Sequence, residues 1–408
     1  MAETETPPAA PSPSAPEKPR GSLTVVGTGL RALSHMTLEA VSHIRDADRV
    51  FFSVPDGVTA RQIRDINPEA VDLTQYYGED KRRKQTYVQM SEVILREVRA
   101  GSTVTAVFYG HPGFFVFPAR RILSIARKEG YRAVMLPGIS SLDCLMADLR
   151  VDPSVNGCQI LEATDLLLRN RPIVTSGHVI ILQVGSVGDS AFSFTAGFRH
   201  AKRAVLFERL IEAYGEEHRS VLYLAATYPG LDGQAVVRPL GAYRDPKVLA
   251  SVPPAGTLYI PAKDMLPTDM AMAETLGMSA LVGPDAPVPA GPDRYGPFEE
   301  QAIAALEHYR PSPTWRPRTA SKALQRVMTL LAGTPSVAAV YRKDPARLVD
   351  LHPDLTPAER KALLSRRAGP LNAVTAPPPP EGAPPTADEA GNGNGGDDGD
   401  DPSKGETA

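Results

Sequence analysis

Two runs, SLTVVGTG (22–29) and TVTAVFYG (103–110), constrain the fold of this chain more than any other feature. Each is rich in β-branched and apolar residues, and each ends at glycine. A strand with one wet face alternates apolar and polar side chains; a strand buried on both faces reads as a near-continuous apolar run. A sheet buried on both faces needs helices on both. The intervening sequence supplies them. HMTLEAVSHIRDADRVFFSV reads as helix, then strand. QTYVQMSEVILREVRAG reads as a helix with Val88, Ile94, Leu95 and Val98 towards one side and Gly101 as its stop. PARRILSIARKEGYRAVMLPG repeats helix, then strand. The β-α-β-α order as far as residue 150 predicts an open α/β sheet.

Beyond residue 150 the chain is more strand-rich. HVIILQVG (178–185), RAVLFERL (203–210), SVLYLAAT (220–227), AVVRPLG (235–241) and GTLYIPA (256–262) are strand candidates. The last three follow one another closely, which predicts a mixed, partly antiparallel sheet. LVGPDAPVPAGPDRYGPF (281–298) is Pro/Gly-rich and reads as a linker or wrapping segment. Helical signals resume in EEQAIAALEHY (299–309) and dominate 319–366, where Leu324, Val327, Leu330 and Leu331 follow helical spacing. Thr356, Pro357 and Glu359 form a helix start as N-cap, N1 and N3. The expected organisation is a disordered N-terminus (1–20), a two-lobed α/β domain (21–265, split near 150), a linker or clasp (266–318), a helical module (319–368) and a low-complexity tail (369–408).

With 44 basic and 47 acidic residues the net charge is −3, which gives no bias towards nucleic acid or an anionic membrane. The acidity lies in the tail. From residue 381 onward there are eight acids (381, 388, 389, 397, 398, 400, 401, 406) and one base, Lys404, so the remainder is net basic. The N-terminus lacks the apolar segment of a secretory signal. No apolar run reaches the ~18 residues of a membrane span. A soluble, cytoplasmic protein with no membrane or nucleic-acid partner is expected. Cys144 and Cys158 form no CxxC and cannot build a four-thiolate zinc site; they read as reduced thiols, and no metal is expected.

VGTGL (26–30) sets two glycines after the first strand. They would either let a ligand phosphate or carboxylate lie on the backbone at a helix N-terminus or make a tight connecting turn. Ala32 stands where GxGxxG has its third glycine, but no acid ends the next strand, which argues against an NAD site. FYGHPGFFVFP (108–118) is sharper. Strand C-termini are where open α/β sheets bind ligands. Gly110 and Gly113 permit close approach, Pro112 stiffens the loop, and Phe114 and Phe115 offer faces to a planar ligand. His111 either faces that ligand or bonds within its own loop. LPGISSLDCL (136–145), QVGSVG (183–188) and AATYPG (225–230) are three more small-residue turns after apolar segments, which together predict one pocket built from many loops. VDLTQYYGEDKRRKQTYVQMSE (71–92) packs three tyrosines and four cations ahead of a helix. Taken locally, it is a solvated basic helix start.

VGTGL, YGHPG and LPGISSLDCL at these separations resemble the tetrapyrrole-methylase superfamily of S-adenosylmethionine-dependent transferases. Together with VDLTQYYGEDKRRKQTYVQMSE, QILEATDLLL, RPIVTSGHVIILQVGSVG and DLTPAERKALL, they resemble the borosin peptide backbone α-N-methyltransferases over nearly the whole ordered chain. The resemblance implies a tetrapyrrole-methylase-like two-lobed α/β methyltransferase with a small C-terminal all-α module that binds the precursor. It implies an interlocked homodimer, S-adenosyl-L-methionine as donor and S-adenosyl-L-homocysteine as product. It also implies a peptide substrate: the C-terminal tail of the partner subunit, or a separate precursor in trans. By position, Tyr77, Arg83 and Tyr87 match the family's catalytic residues. Tyr109, His111, Phe114, Phe115, Ser140, Ser141, Gln183, Ala226 and Thr257 would line the cofactor. Where members carry a further tyrosine three residues ahead of the catalytic one, this chain has Thr74. Lys81, Arg82 and Lys84 read as solvated charges.

The chemistry suits those residue types. A peptide N–H is very weakly acidic because resonance delocalises the nitrogen lone pair. Its methylation needs the proton removed and the developing imidate oxygen stabilised. Positive charge beside a phenol favours phenolate, which can act as a base. Tyr77 is thus assigned proton abstraction or amide orientation. Arg83 would polarise the amide oxygen and lower the Tyr77 pKa, and Tyr87 would position the peptide. The tail is unusual, because fused members end in an apolar core peptide. Here LNAVTA (371–376) and the Gly/Asn/Asp run 391–401 are the leading acceptor candidates, and the prolines between them have no N–H to give up. A tail that only solubilises is the plainer reading. Two other classes remain, a small-molecule methyltransferase acting on a tetrapyrrole-like macrocycle and a catalytically silent scaffold.

Overall fold

The structure is a computed structural model that describes residues 21–79, 81–189, 191, 202–282, 294–312 and 317–376. The expectations for 1–20, 283–293 and the tail beyond 376 lie outside these residues. The chain divides into two units, Met1–Pro267 and Thr268–Ala408.

The first unit opens with the predicted α/β sheet. Strands β1 (Ser22–Gly27), β2 (Arg49–Ser53), β3 (Val71–Asp72), β4 (Thr103–Phe108) and β5 (Arg132–Met135) lie in the order β3-β2-β4-β1-β5, all parallel. Helices α1 (Leu38–Asp46) and α2 (Gly57–Ile66) cover one face; α3 (Arg83–Arg99) and α4 (Phe117–Lys128) cover the other. Val26, Val50, Phe52 and Val107 pack under α1 and α2. Leu23, Val25, Phe51, Val104, Ala106 and Phe108 pack under α3 and α4. Successive side chains point to opposite faces, and both faces are dry, which is why neither run alternates. On α3, Ile94, Leu95 and Val98 are buried as expected, together with Met90. Val88 is not: it is 36% exposed, on the edge of the helix face the other three define.

At the C-terminal edge of this sheet three loops converge on glycine. Gly29 and Gly110 form an antiparallel bridge. A Cβ on Gly27 would sit 2.1 Å from the Gly110 carbonyl oxygen, and one on Gly138 would sit 3.1 Å from the same atom. The VGTGL glycines therefore serve a backbone-to-backbone junction. Helix α1 starts only at Leu38, capped by Thr37, so these glycines do not open onto a helix N-terminus as a dinucleotide loop would.

Helix α5 (Ser141–Leu149) leads to the second sheet, with strands β6 (Cys158–Glu162), β7 (His178–Leu182), β8 (Arg219–Leu224), β9 (Gln234–Pro239) and β10 (Thr257–Ile260) in the order β6-β7-β10-β8-β9. Only β6 and β7 are parallel, so the sheet is mixed as predicted. Helices α6 (Ala163–Leu168) and α7 (Arg203–Tyr214) pack on one face. The short α8 (Pro246–Ala250) follows β9. Helix α5 and Phe114 pack on the other face. The segment RAVLFERL, read as a strand, is the first two turns of α7. Leu206, Phe207, Leu210, Ile211 and Tyr214 form its buried stripe. Cutting the segment at Leu210 hid this helical period. Strand β6, which the residue pattern did not single out, pairs with β7 on the edge of the sheet.

The second unit contains α9 (Met270–Thr275), α10 (Ser279–Val282), α11 (Pro297–Ala304), α12 (Lys322–Gly333), α13 (Pro335–Lys343), α14 (Pro345–Asp350), α15 (Pro357–Ser365) and α16 (Ala368–Thr375). Leu324, Val327, Leu348, Val349, Leu355 and Leu363 make a small core. Leu324 and Val327 are buried and Leu331 is partly buried, but Leu330 is 39% exposed. The Thr356–Glu359 capping box is present as read. The module runs past 368: α16 places Leu371 and Val374 against the core. LNAVTA was read as free tail and a possible acceptor, but it is mostly helix. Among the described residues, no helix is long and apolar enough to cross a membrane.

Gly27→Ala should be among the costliest single substitutions in the first unit. The added methyl would force two strand ends apart, for a loss of about 3 kcal/mol. The melting temperature should fall by roughly 6–12 °C in thermal denaturation.

Candidate active site

Helix α3 begins against its own electrostatics. Its N-cap is Arg82, with no capping side chain, Arg83 and Lys84 follow, and its first turn holds no acid. Cations at a helix N-terminus oppose the macrodipole. Tertiary contacts hold this end in place. Arg82 bridges the backbone of Ala191, and the Arg83 guanidinium donates to the Asp189 carbonyl. Lys81, read as a solvated charge, instead donates to the Tyr76 carbonyl at 2.6 Å and to the Gln89 side chain. The turn carrying Tyr77 is thereby tied to α3. Thr74 belongs to that turn: its hydroxyl donates to Asp72 at 2.7 Å, and its carbonyl accepts from the Tyr77 N–H.

An open cavity of ≈ 660 Å³ lies at this helix start. Its wall brings together Arg83, Tyr87, Phe114, Phe115 and Gln183, all proposed from sequence. Lys84, read as solvated, also lines it. Arg120, Phe117 and Asp189 complete the polar and aromatic surface and were not anticipated as site residues. Phe117 lay inside the quoted FYGHPGFFVFP run, and Arg120 follows one helical turn later. Asp189 directly follows QVGSVG; nothing local marks it.

Tyr77 is not on the wall. It stands behind Tyr87, edge to face, with ring centroids 6.4 Å apart, and Tyr87 stacks on Phe117 at 6.2 Å. Burial holds the Tyr77 phenol well above its ordinary value. The neighbouring Tyr87 and a hydrogen bond to it add to the rise, while Arg83 pulls the other way and is outweighed. The expected direction of the Arg83 effect is present, but its dominance is not.

The remaining residues proposed from sequence do not line the cavity. Tyr109 directly follows β4, half-buried, and burial pushes its phenol up to about 12. The His111 ring nitrogen Nδ1 accepts from the Gly113 N–H at 2.9 Å, closing its own loop. Ser140 is spent as the cap of α5, donating to Asp143 at 2.6 Å, and Ser141 is the first residue of that helix. Ala226 and Thr257 are buried, after β8 and at the start of β10. Phe115 is in the left-handed region (φ 58°) and packs edge-on to Phe114 at 4.6 Å. Such strain in a bulky residue is uncommon and gathers at functional sites. Phe115 also forms a wall of a second cavity of ≈ 380 Å³, lined by Ile160, Leu161, Glu162, Asp165 and Arg171.

Residues 22–242 match the family model of the tetrapyrrole (corrin/porphyrin) methylases, and residues 294–395 match that of the borosin biosynthesis clasp domain. Over 364 residues the chain is 43% identical to the methyltransferase and omphalotin A precursor of Omphalotus olearius, aligning 84% of this chain with 85% of that protein. This chain belongs to the borosin methyltransferase family. A type III borosin precursor of Anomoporia bombycina is 42% identical over 368 residues, covering 87% of this chain and 43% of that longer protein. Among solved structures, the uroporphyrin-III-C-methyltransferase of Thermus thermophilus aligns with 66% of this chain at 16% identity and a TM-score of 0.42.

The site geometry makes two opposite demands on the Tyr77 titration. Tyr87→Phe removes a contribution that raises its pKa, so the Tyr77 ring should titrate at lower pH. Arg83→Ala removes the lowering charge, so it should titrate higher still. Tyrosine ring-carbon NMR, assigned with Tyr77→Phe, reads both shifts; the same direction in both variants would contradict this electrostatic balance.

Proposed function

We propose that the chain transfers methyl groups from S-adenosyl-L-methionine to backbone amide nitrogens of a ribosomally made peptide. The substrate is the C-terminal tail of the partner in an interlocked homodimer. The observation that carries this reading is the cavity that Arg83, Tyr87, Phe114, Phe115 and Gln183 line together. Its size falls within the roughly 300–1,000 Å³ of small-molecule sites. The residues present fit the donor. Phe114 and Phe115 offer aromatic faces to an adenine, and Gln183 and Asp189 offer polar groups to a ribose or amino acid. When bound, this cofactor supplies an electrophilic methyl group on a positively charged sulfur.

The protein's own residues prepare the amide. Arg83, fixed by the Asp189 carbonyl, presents its guanidinium to the amide oxygen, where negative charge develops as the N–H proton leaves. Tyr87 lies against the peptide and holds Tyr77 through their hydrogen bond. Tyr77 is the base. At neutral pH its phenol is overwhelmingly protonated, so only a small ionised fraction is competent.

The helix at 368–375 bears on the substrate. A helical N–H is committed to its carbonyl partner four residues back, so Leu371–Thr375 cannot be an acceptor without unwinding. The acceptor within this chain is then the Gly/Asn/Asp run 391–401. The same observation favours, as the second reading, a separate precursor in trans.

Intact mass of the protein purified after co-expression, followed by digestion, tests the proposal. Tail peptides should carry increments of one methylene each, lost in Arg83→Ala by at least tenfold while cofactor binding stays within threefold. Unmodified tails would favour the precursor in trans, and unchanged methylation in Arg83→Ala would remove its assigned role. With saturating cofactor, the single-turnover rate should rise about tenfold per pH unit between pH 7 and 9, because that range lies below the raised pKa of Tyr77. Tyr77→Phe should flatten this slope.

A further inference from the structure

The described part of the helical module, residues 317–376, carries ten Lys and Arg against four Asp and Glu. Two of the arginines are paired within the module, Arg326 with Asp354 and Arg360 with Asp350. Four exposed cations gather at one corner instead. Arg342 and Lys343 end α13, and Arg366 and Arg367 connect α15 to α16. The Arg366 guanidinium donates to the Arg342 carbonyl at 2.6 Å, which brings the two pairs together. The Tyr341 hydroxyl donates to the Leu363 carbonyl at 2.6 Å and closes the same corner. Among the described residues none of the four has an acidic partner. Helix stabilisation accounts for Arg342 and Lys343, which favour a C-terminus, but not for Arg367, the N-cap of α16, where a cation opposes the dipole.

We propose that this corner is the docking surface for the chain's own acidic segment, 388–401. That segment holds Asp388, Glu389, Asp397, Asp398, Asp400 and Asp401 and no base, the inverse of the corner. It is also close at hand. Helix α16 has eight residues, hence a length of about 12 Å, and the corner lies at its start. Eleven residues, hence twelve Cα steps, separate Ala376 from Asp388, a reach of up to about 40 Å, so the chain can double back along α16. The attraction is between exposed charges and is therefore screened by salt.

Carbodiimide cross-linking of the full-length protein tests this, because it joins carboxylates to amines in contact and Lys343 is the reporter. At 20 mM NaCl, mass spectrometry should find Lys343 joined to acids 388–401 within one chain, shown by mixing isotopically labelled and unlabelled protein. Yield should fall at least fivefold at 0.5 M NaCl. It should fall equally in the triple variant Arg342→Ser, Arg366→Ser, Arg367→Ser, which keeps Lys343. A tail variant, Asp397→Asn, Asp398→Asn, Asp400→Asn, Asp401→Asn, leaves the module untouched and should lose the link to these four positions and at least halve the link to Asp388 and Glu389. Absence of the link at low salt, indifference to salt or to either variant, or links only between labelled and unlabelled copies would overturn the proposal. The readout needs no methyl transfer, so it stands or falls apart from the enzymatic reading.

Discussion

The first unit depends on a contact that involves no side chain. Three loops leave the C-terminal edge of the parallel sheet after β1, β4 and β5, and they meet around the Gly110 carbonyl oxygen. Glycine at 27 lets main chains approach to a distance that a Cβ would forbid, a Cβ at 138 would be tight, and Gly110 takes a left-handed φ of 71°. This closure fixes where the YGHPGFFVFP loop emerges, and with it Phe114 and Phe115. It also fixes the start of α4, which supplies Phe117 and Arg120. The cavity wall follows from the glycine junction on one side and from the anchored start of α3 on the other.

At that helix start the structure sets two forces against one another. Arg82, Arg83 and Lys84 sit where the macrodipole disfavours them, and the backbone at Ala191 and Asp189 holds Arg82 and Arg83 there. Tyr77 lies beside this positive charge but behind Tyr87, where burial raises its pKa more than the charge lowers it. A tyrosine in this position is a weak acid kept protonated and oriented.

Much of this was legible in the sequence. The non-alternating runs at 22–29 and 103–110 predicted a sheet covered on both faces, and Thr356, Pro357 and Glu359 predicted a helix start that is present in full. What was not legible has consistent causes. RAVLFERL looks like a strand until the window extends to Tyr214 and the helical period appears. Leu330 and Val88 fit a helical count but fall outside the buried arc, which neighbours define rather than spacing. Lys81 and Lys84 carry no local mark that separates a solvated cation from one that ties a turn or lines a wall. Leu371–Thr375 reads as tail because its propensity is modest; it is helical because Leu371 and Val374 find an apolar surface on the module.

By itself, then, the sequence determined the class of fold, the order of its sheets and which segments could bear chemistry. Each of those rests on short-range periodicity, on glycine's missing Cβ and on caps a few residues long. Tertiary structure alone decided which candidates share a cavity: Arg83, Tyr87, Phe114, Phe115 and Gln183 do, while His111 and Ser140 are spent on their own loops. It also decided the protonation of Tyr77, because a pKa depends on the water excluded around the phenol as well as on the charges nearby. Residue order names those charges, but only packing sets how much water remains.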